Sequence, residues 1–163
     1  MVEPKIIIDA LGVDRELVLE FFAYFSRFEY ALKRSDFLKP GDKAKPDWKR
    51  YANSLQGRFK EVQTPKFLEA VRFLLTQPPR TQVRSRNDLD WDETVRRNGE
   101  HHEGYVLRLV RTLRNNLFHG GKYPPGPVPD EGRNRSLLVA AIAVLGGCLD
   151  LSPRVRGAFE ETG

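Results

Sequence analysis

An all-α fold, a bundle of about five helices, is what this 163-residue sequence predicts. Three observations predict it. Apolar residues recur every three or four positions in five successive segments, the spacing that lays one continuous stripe along an α-helix. Proline, glycine and capping residues fall between those segments. Beyond a short run at Ile6 to Ile8, where one strand is expected, no segment makes a convincing claim to be a strand.

The first long helix is expected from Asp14 to about Lys33, with Leu17, Val18, Phe21, Phe22, Phe25, Phe28 and Leu32 on its apolar stripe. Asp14 is placed to accept a hydrogen bond from the first turn, and Phe37-Leu38-Lys39-Pro40-Gly41 carries the breakers that open a loop. A second helix is expected after Pro46-Asp47, carrying Trp48, Tyr51, Leu55 and Phe59. A third follows Thr64-Pro65, where threonine suits the cap and proline the first turn. Its apolar face is Phe67, Leu68, Val71, Leu74 and Leu75, and it stops at Pro78-Pro79. Residues 78–100 are polar and weakly periodic, so they read as a long surface loop that Trp91 pins down.

The fourth helix runs from roughly Glu103 to Phe118, with Val106, Leu109, Val110, Leu113 and Leu117 facing the core and Gly120-Gly121 ending it. A proline-rich connector over about 121–132 leads to a fifth helix built on Leu137, Leu138, Ala141, Val144, Leu145 and Cys148. Ala140 to Ala143 and Gly146-Gly147 are small enough for a neighbouring helix to approach closely. The whole of 1–163 reads as one domain, since a chain of this size supports one core.

Composition narrows the classes of partner. Lys and Arg number 27 against 22 Asp and Glu, a formal net charge of +5, which favours a polyanionic partner over a cationic one. Cys148 is the only cysteine, so an internal disulfide and a thiolate zinc cage are both excluded, and its apolar setting reads as a packed core thiol. No window approaches the length of a membrane span and no signal peptide is evident, so a cytoplasmic protein is expected.

The end of the fourth helix carries the unusual chemistry. Within RNNLFHGG, residues 114–121, the helical rotation of about 100° per residue puts Asn115 and His119 together on the side away from the core, with Arg114 on the flank. Arg114 and His119 are separated by about 140° of rotation and about 7–8 Å of rise in a regular helix. They therefore meet only if the last turn loosens or a second copy of the helix supplies the missing half, which implies a dimer. This residue set suits attack on a phosphodiester. A 2′-hydroxyl must lose a proton and the leaving 5′-oxygen must gain one, and an imidazole, with an ordinary pKa of about 6.5, does either near neutrality. Arginine offers a fixed fork of donors for the nonbridging oxygens, and asparagine orients the imidazole or bonds the phosphate without adding charge. The scheme calls for no metal and no cofactor.

Arg114-Asn115-Asn116-Leu117-Phe118-His119, an arginine followed by a polar residue and then by a histidine after four intervening positions, near the end of a helix in a small all-α chain, resembles the signature of the HEPN superfamily. The resemblance implies a helical domain that dimerises, bringing the motifs of two protomers into one cleft to form a metal-independent endoribonuclease site. It also implies a role as a toxin or an effector of phage defence, with an antitoxin or defence-system partner. Carried over by position, Arg114 contacts the scissile phosphate, Asn115 is the polar residue that follows it, and His119 transfers protons. Arg111, Asn116 and Lys122 are expected to contact RNA, Arg108, Arg111 and Arg114 with Lys122 forming a basic strip for the backbone.

Competing readings attach to the same residues. A histidine beside Gly-Gly at a helix C-terminus also suits a cap on loose carbonyls, and a basic strip also suits a solvated face. A helical module that binds RNA or a nucleotide, or only dimerises, uses the same residues without cutting; a third reading makes the chain a regulator of a partner enzyme. His101-His102 lack nearby metal-ligand spacing and read as exposed polar residues. Arg27, Glu29, Lys33 and Arg34 of the first helix are within reach of the motif, with exposed ion pairing the ordinary explanation, and Tyr123 and Trp91 are either base-stacking residues or loop anchors.

Overall fold

The computed structural model describes residues 3–119 and 130–161. Its element order is α1 (Pro4–Asp9), α2 (Arg15–Arg34), α3 (Trp48–Ser54), a 3-10 turn (Phe59–Glu61), α4 (Pro65–Thr76), β1 (Thr81–Ser85), β2 (Asp88–Asp92), α5 (His102–Phe118), α6 (Glu131–Asp150) and α7 (Pro153–Glu160). The protein is mostly helical, with one small antiparallel sheet.

The long helices lie where the apolar spacing predicts. α2 buries Leu17, Phe21, Phe25, Phe28, Ala31 and Leu32, and Asp14 caps it by accepting a hydrogen bond from the Leu17 N–H at 2.9 Å. Asp47 caps α3 in the same way, accepting from Arg50 N at 3.0 Å. α3 ends earlier than its apolar residues suggest: Leu55 is its C-cap and Phe59 belongs to the separate 3-10 turn. At α4, Pro65 occupies the first turn, but Thr64 makes no side-chain cap bond.

Three expectations are corrected. Ile6 to Ile8 fall within helix α1 and form no strand, because a strand without a partner leaves its backbone groups unpaired whereas a helical turn satisfies them locally. The 78–100 segment is not a structureless loop: Thr81 pairs with Asp92 through to Ser85 with Asp88, around a two-residue turn in which Arg86 takes a left-handed φ of +53°. A further helix, α7, follows the fifth long helix. Gly120-Gly121, Lys122, Tyr123 and most of the proline connector lie outside the described residues; α6 begins at Glu131, within the stretch assigned to the connector.

One apolar core joins these elements. α6 lies at its centre, in contact with α2, α4, α5 and α7, and is buried on most sides through Leu137, Leu138, Ala141, Val144, Leu145 and Cys148. The small residues of α6 permit this: a Cβ at Gly147 would stand 2.2 Å from the ring of Phe67 on α4. A second cluster of rings, Phe25, Phe28, Trp48, Tyr51 and Phe37, joins α2 to α3. Tyr51 closes it by donating its hydroxyl to the Cys148 carbonyl at 3.1 Å, and burial pushes both the Tyr51 phenol and the Cys148 thiol well above their ordinary pKa values. Cys148 is thus the inert core thiol expected. No single helix among the described residues is long and apolar enough to cross a membrane.

Candidate nucleic-acid interface

α5 is the element on which the candidate residues ride, and its position is set at its N-terminal end. His101 is the N-cap, its Nδ1 accepting from Gly104 N at 3.1 Å while Nε2 stands 3.1 Å from Asn53 Oδ1. The same Nδ1 is 3.2 Å from Glu103 Oε2. Glu103 is buried, and its other oxygen accepts from Gly57 N at 2.9 Å. Burial works to raise its pKa, but the N–H groups of Glu103 and Gly57 and the His101 ring outweigh it and hold the carboxyl below the usual range. His101 and His102 are therefore not exposed residues: the first is a cap and the second sets its ring edge-on against Phe59.

The middle of α5 holds the preceding loop and the hairpin. Arg108 forms a two-pronged pair with Glu100, both bonds at 2.7 Å, and donates a further bond to the Val95 carbonyl at 2.7 Å. That hydrogen bonding keeps the Glu100 carboxyl below its ordinary pKa against the opposing effect of burial. Tyr105 donates its hydroxyl to the Thr94 carbonyl, and the Asn116 amide donates to the Arg80 carbonyl, each at 2.7 Å, so α5 grips the base of the hairpin. Two residues of the expected basic and polar surface are thereby employed within the fold. Arg108 is neutralised by Glu100, and Asn116, only 7 % exposed, faces the strand junction and not solvent, which removes it from the RNA-binding surface.

Beyond this point the side chains of α5 are used differently. The Arg111 guanidinium lies over the Trp48 ring at 5.6 Å, and that of Arg114 over Phe25 at 5.7 Å and Phe118 at 5.5 Å. Such cation–π contacts hold a guanidinium in place without neutralising it. Glu29, the acid of α2 nearest this surface, accepts from Trp48 Nε1 at 2.8 Å; it attracts Arg111 but forms no ion pair with Arg111 or Arg114. Desolvation against its neighbours lowers the Arg111 pKa, and Arg114, Arg97 and Arg108 lower it further, while Glu29 acts in the opposite sense. The residue as a whole remains open to solvent.

At the tip, Arg114 Nη1 donates to Asn115 Oδ1 at 3.1 Å. Asn115 and His119 are both exposed, on the side of the helix that the rotation argument assigns to them. His119 is the C-cap residue, but it caps through its backbone, N–H to the Asn115 carbonyl at 2.8 Å; its imidazole forms no hydrogen bond among the described residues. The structure therefore joins Arg114 to Asn115, places His119 one turn beyond Asn115, and forms no bond between His119 and Arg114. Lys122 lies outside the described residues. The supporting rings of Trp48, Phe25 and Phe118 escape sequence reasoning, since core aromatic spacing carries no sign of which ring will floor an arginine.

No protein-family model matches this chain, and neither a curated protein nor a solved structure is similar to it.

Proposed function

We propose that the protein is a metal-independent endoribonuclease of the HEPN type, acting as a homodimer. The observation that carries this reading is that Arg114, Asn115 and His119 share the exposed last turn of α5, where among the described residues the His119 imidazole is unbonded and Arg114, held by aromatic faces, has no carboxylate partner. In the proposed reaction the RNA 2′-oxygen attacks the adjacent phosphorus as an imidazole takes its proton. The P–O5′ bond breaks, the 5′-oxygen is protonated, and a 2′,3′-cyclic phosphate and a 5′-hydroxyl result. Arg114 stabilises the charge that grows on the nonbridging oxygens. Within one chain Arg114 and His119 are not bonded, which is why the reading includes a second copy. A role as toxin or phage-defence effector, held in check by a partner, accords with such an activity.

One observation favours a second reading, an RNA- or nucleotide-binding module that does not cut: Arg111 on Trp48 forms a cationic surface whose function requires no proton transfer. The test is the purified native chain beside His119→Ala and Arg114→Ala, incubated with labelled RNA in a chelator. The nuclease reading expects cleavage by the native chain to cyclic-phosphate ends and none by either variant; RNA bound but left intact by all three selects the binding module. Light scattering checks the dimer, and slowed growth of cells expressing the native chain but not the variants checks the toxic role.

A further inference from the structure

A cleft of about 400 Å³ opens between α3, the 97–101 loop and the part of α5 from Gly104 to Arg111. Its wall brings Lys49 from α3, Arg97 from the loop and Arg111 from α5 to one opening. These cations come from three separate segments, and among the described residues none of them forms an ion pair. The carboxylate in the same wall, Glu100, has both oxygens committed to Arg108, and one also accepts the Arg97 N–H at 3.0 Å. Glu29, the other acid within electrostatic reach of Arg111, is bonded to Trp48. The positive end of the α5 dipole, at His101 and Gly104, completes the wall.

Like charges gathered in this way repel, as the effect of Arg97 and Arg108 on Arg111 shows, while Glu29, bonded to Trp48, acts in the opposite sense. An anion in the opening adds to that offset. The aromatic floor adds a restriction: Trp48 is only 5 % exposed and its face is taken by Arg111, so no base finds a ring to stack on, and recognition falls to phosphate alone. Arg111 and His119 are eight residues apart, about 12 Å along α5, a span that a strand of a few nucleotides bridges.

We propose that this cleft is a second phosphate subsite, which holds a non-scissile backbone phosphate of a single-stranded RNA whose reacting phosphate lies at Arg114 and His119. The naming of RNA rests on the proposed function; the anion subsite rests on the cleft.

The test is fluorescence anisotropy of the full chain with a short 2′-O-methyl oligonucleotide, which binds but cannot be cleaved, over a range of salt. Lys49→Ala/Arg97→Ala is compared with Lys66→Ala/Arg72→Ala, which removes the same charge from the groove between α4 and α6. The expected result is an affinity about tenfold weaker for the first pair, with the slope of log K against log salt reduced by about 0.7, one single-strand phosphate contact, and a smaller change for the second. No binding by the native chain, or equal changes for the two pairs, overturns the subsite. Cleavage of unmodified RNA is followed in parallel. Weakened binding by the first pair where the native chain cuts nothing keeps the subsite and removes the nuclease; cleavage unaffected by the first pair, with binding unchanged, does the reverse.

Discussion

At the start of α5, His101, Glu103, Tyr105 and Arg108 each reach a partner on another segment; in the last turn, Asn115 and His119 face solvent, and among the described residues Arg114 hydrogen-bonds only its neighbour Asn115. Both halves are rich in polar side chains on one amphipathic helix. The difference teaches that polarity at helical spacing does not by itself mark a site: what separates the two halves is whether the fold has already used the groups. Asn116 makes the point within the motif itself, since it sits between Asn115 and His119 in sequence and yet is buried on the Arg80 carbonyl.

The largest effect expected from breaking this contrast is on activity at the free end. His119→Ala should lower RNA cleavage about 10²- to 10⁴-fold, the range for loss of a general acid or base, while the thermal midpoint stays within a degree or two because the side chain forms no hydrogen bond among the described residues. A comparable loss of cleavage with a large fall in midpoint would return His119 to a structural role. At the bound end the expected pattern is the reverse. Glu103→Ala leaves the Gly57 N–H without its acceptor, and should cost about 1–3 kcal/mol, read by urea unfolding.

How far each half was legible follows from the same contrast. The stripe of α2, the caps Asp14 and Asp47, the tight approach at Gly147 and the outward placement of Asn115 and His119 all follow from local spacing, and local spacing is what a sequence displays. The hairpin was hidden because its turn places Arg86 at the left-handed position where glycine is the usual signal, and because β2, although Leu89 and Trp91 alternate with Asp88, Asp90 and Asp92, is a five-residue run dominated by aspartate, a poor strand former. α7, eight residues beginning at a Ser-Pro step, is too short to show a stripe. The pairing of Arg108 with Glu100, and the gathering of Lys49, Arg97 and Arg111, depend on segments brought together by the core, and no spacing along α5 records them.

The Arg108–Glu100 pair gives a pH-dependent form of the comparison. The Glu100 carboxyl titrates below its unfolded value, so its contribution to stability is complete above that unfolded pKa of about 4.3 and is lost as pH falls through the lower folded value. Glu100→Gln should therefore lower stability by about 1–2 kcal/mol near neutrality, and the gap to the native chain should close progressively in acid. A gap that stays constant from pH 7 to pH 3 would show that the pair adds nothing through ionisation.

The smallest expected effect concerns a group that the fold has buried without using. Trp91 Nε1 is enclosed and has no hydrogen-bond partner among the described residues, although the ring itself is half-buried on β2 opposite Gln82 of β1. An unpaired buried donor loses its hydration without recompense, whereas an apolar ring of similar shape keeps the packing and has no such donor. Trp91→Phe trades a modest loss of buried area for removal of that penalty, so the net change should fall within about 1 kcal/mol of zero. Trp91→Ala, which removes the packing too, should cost about 2 kcal/mol or more. If phenylalanine proves as damaging as alanine, the N–H is engaged in solution and the hairpin is held by a polar contact, which would move it to the bound side of the comparison.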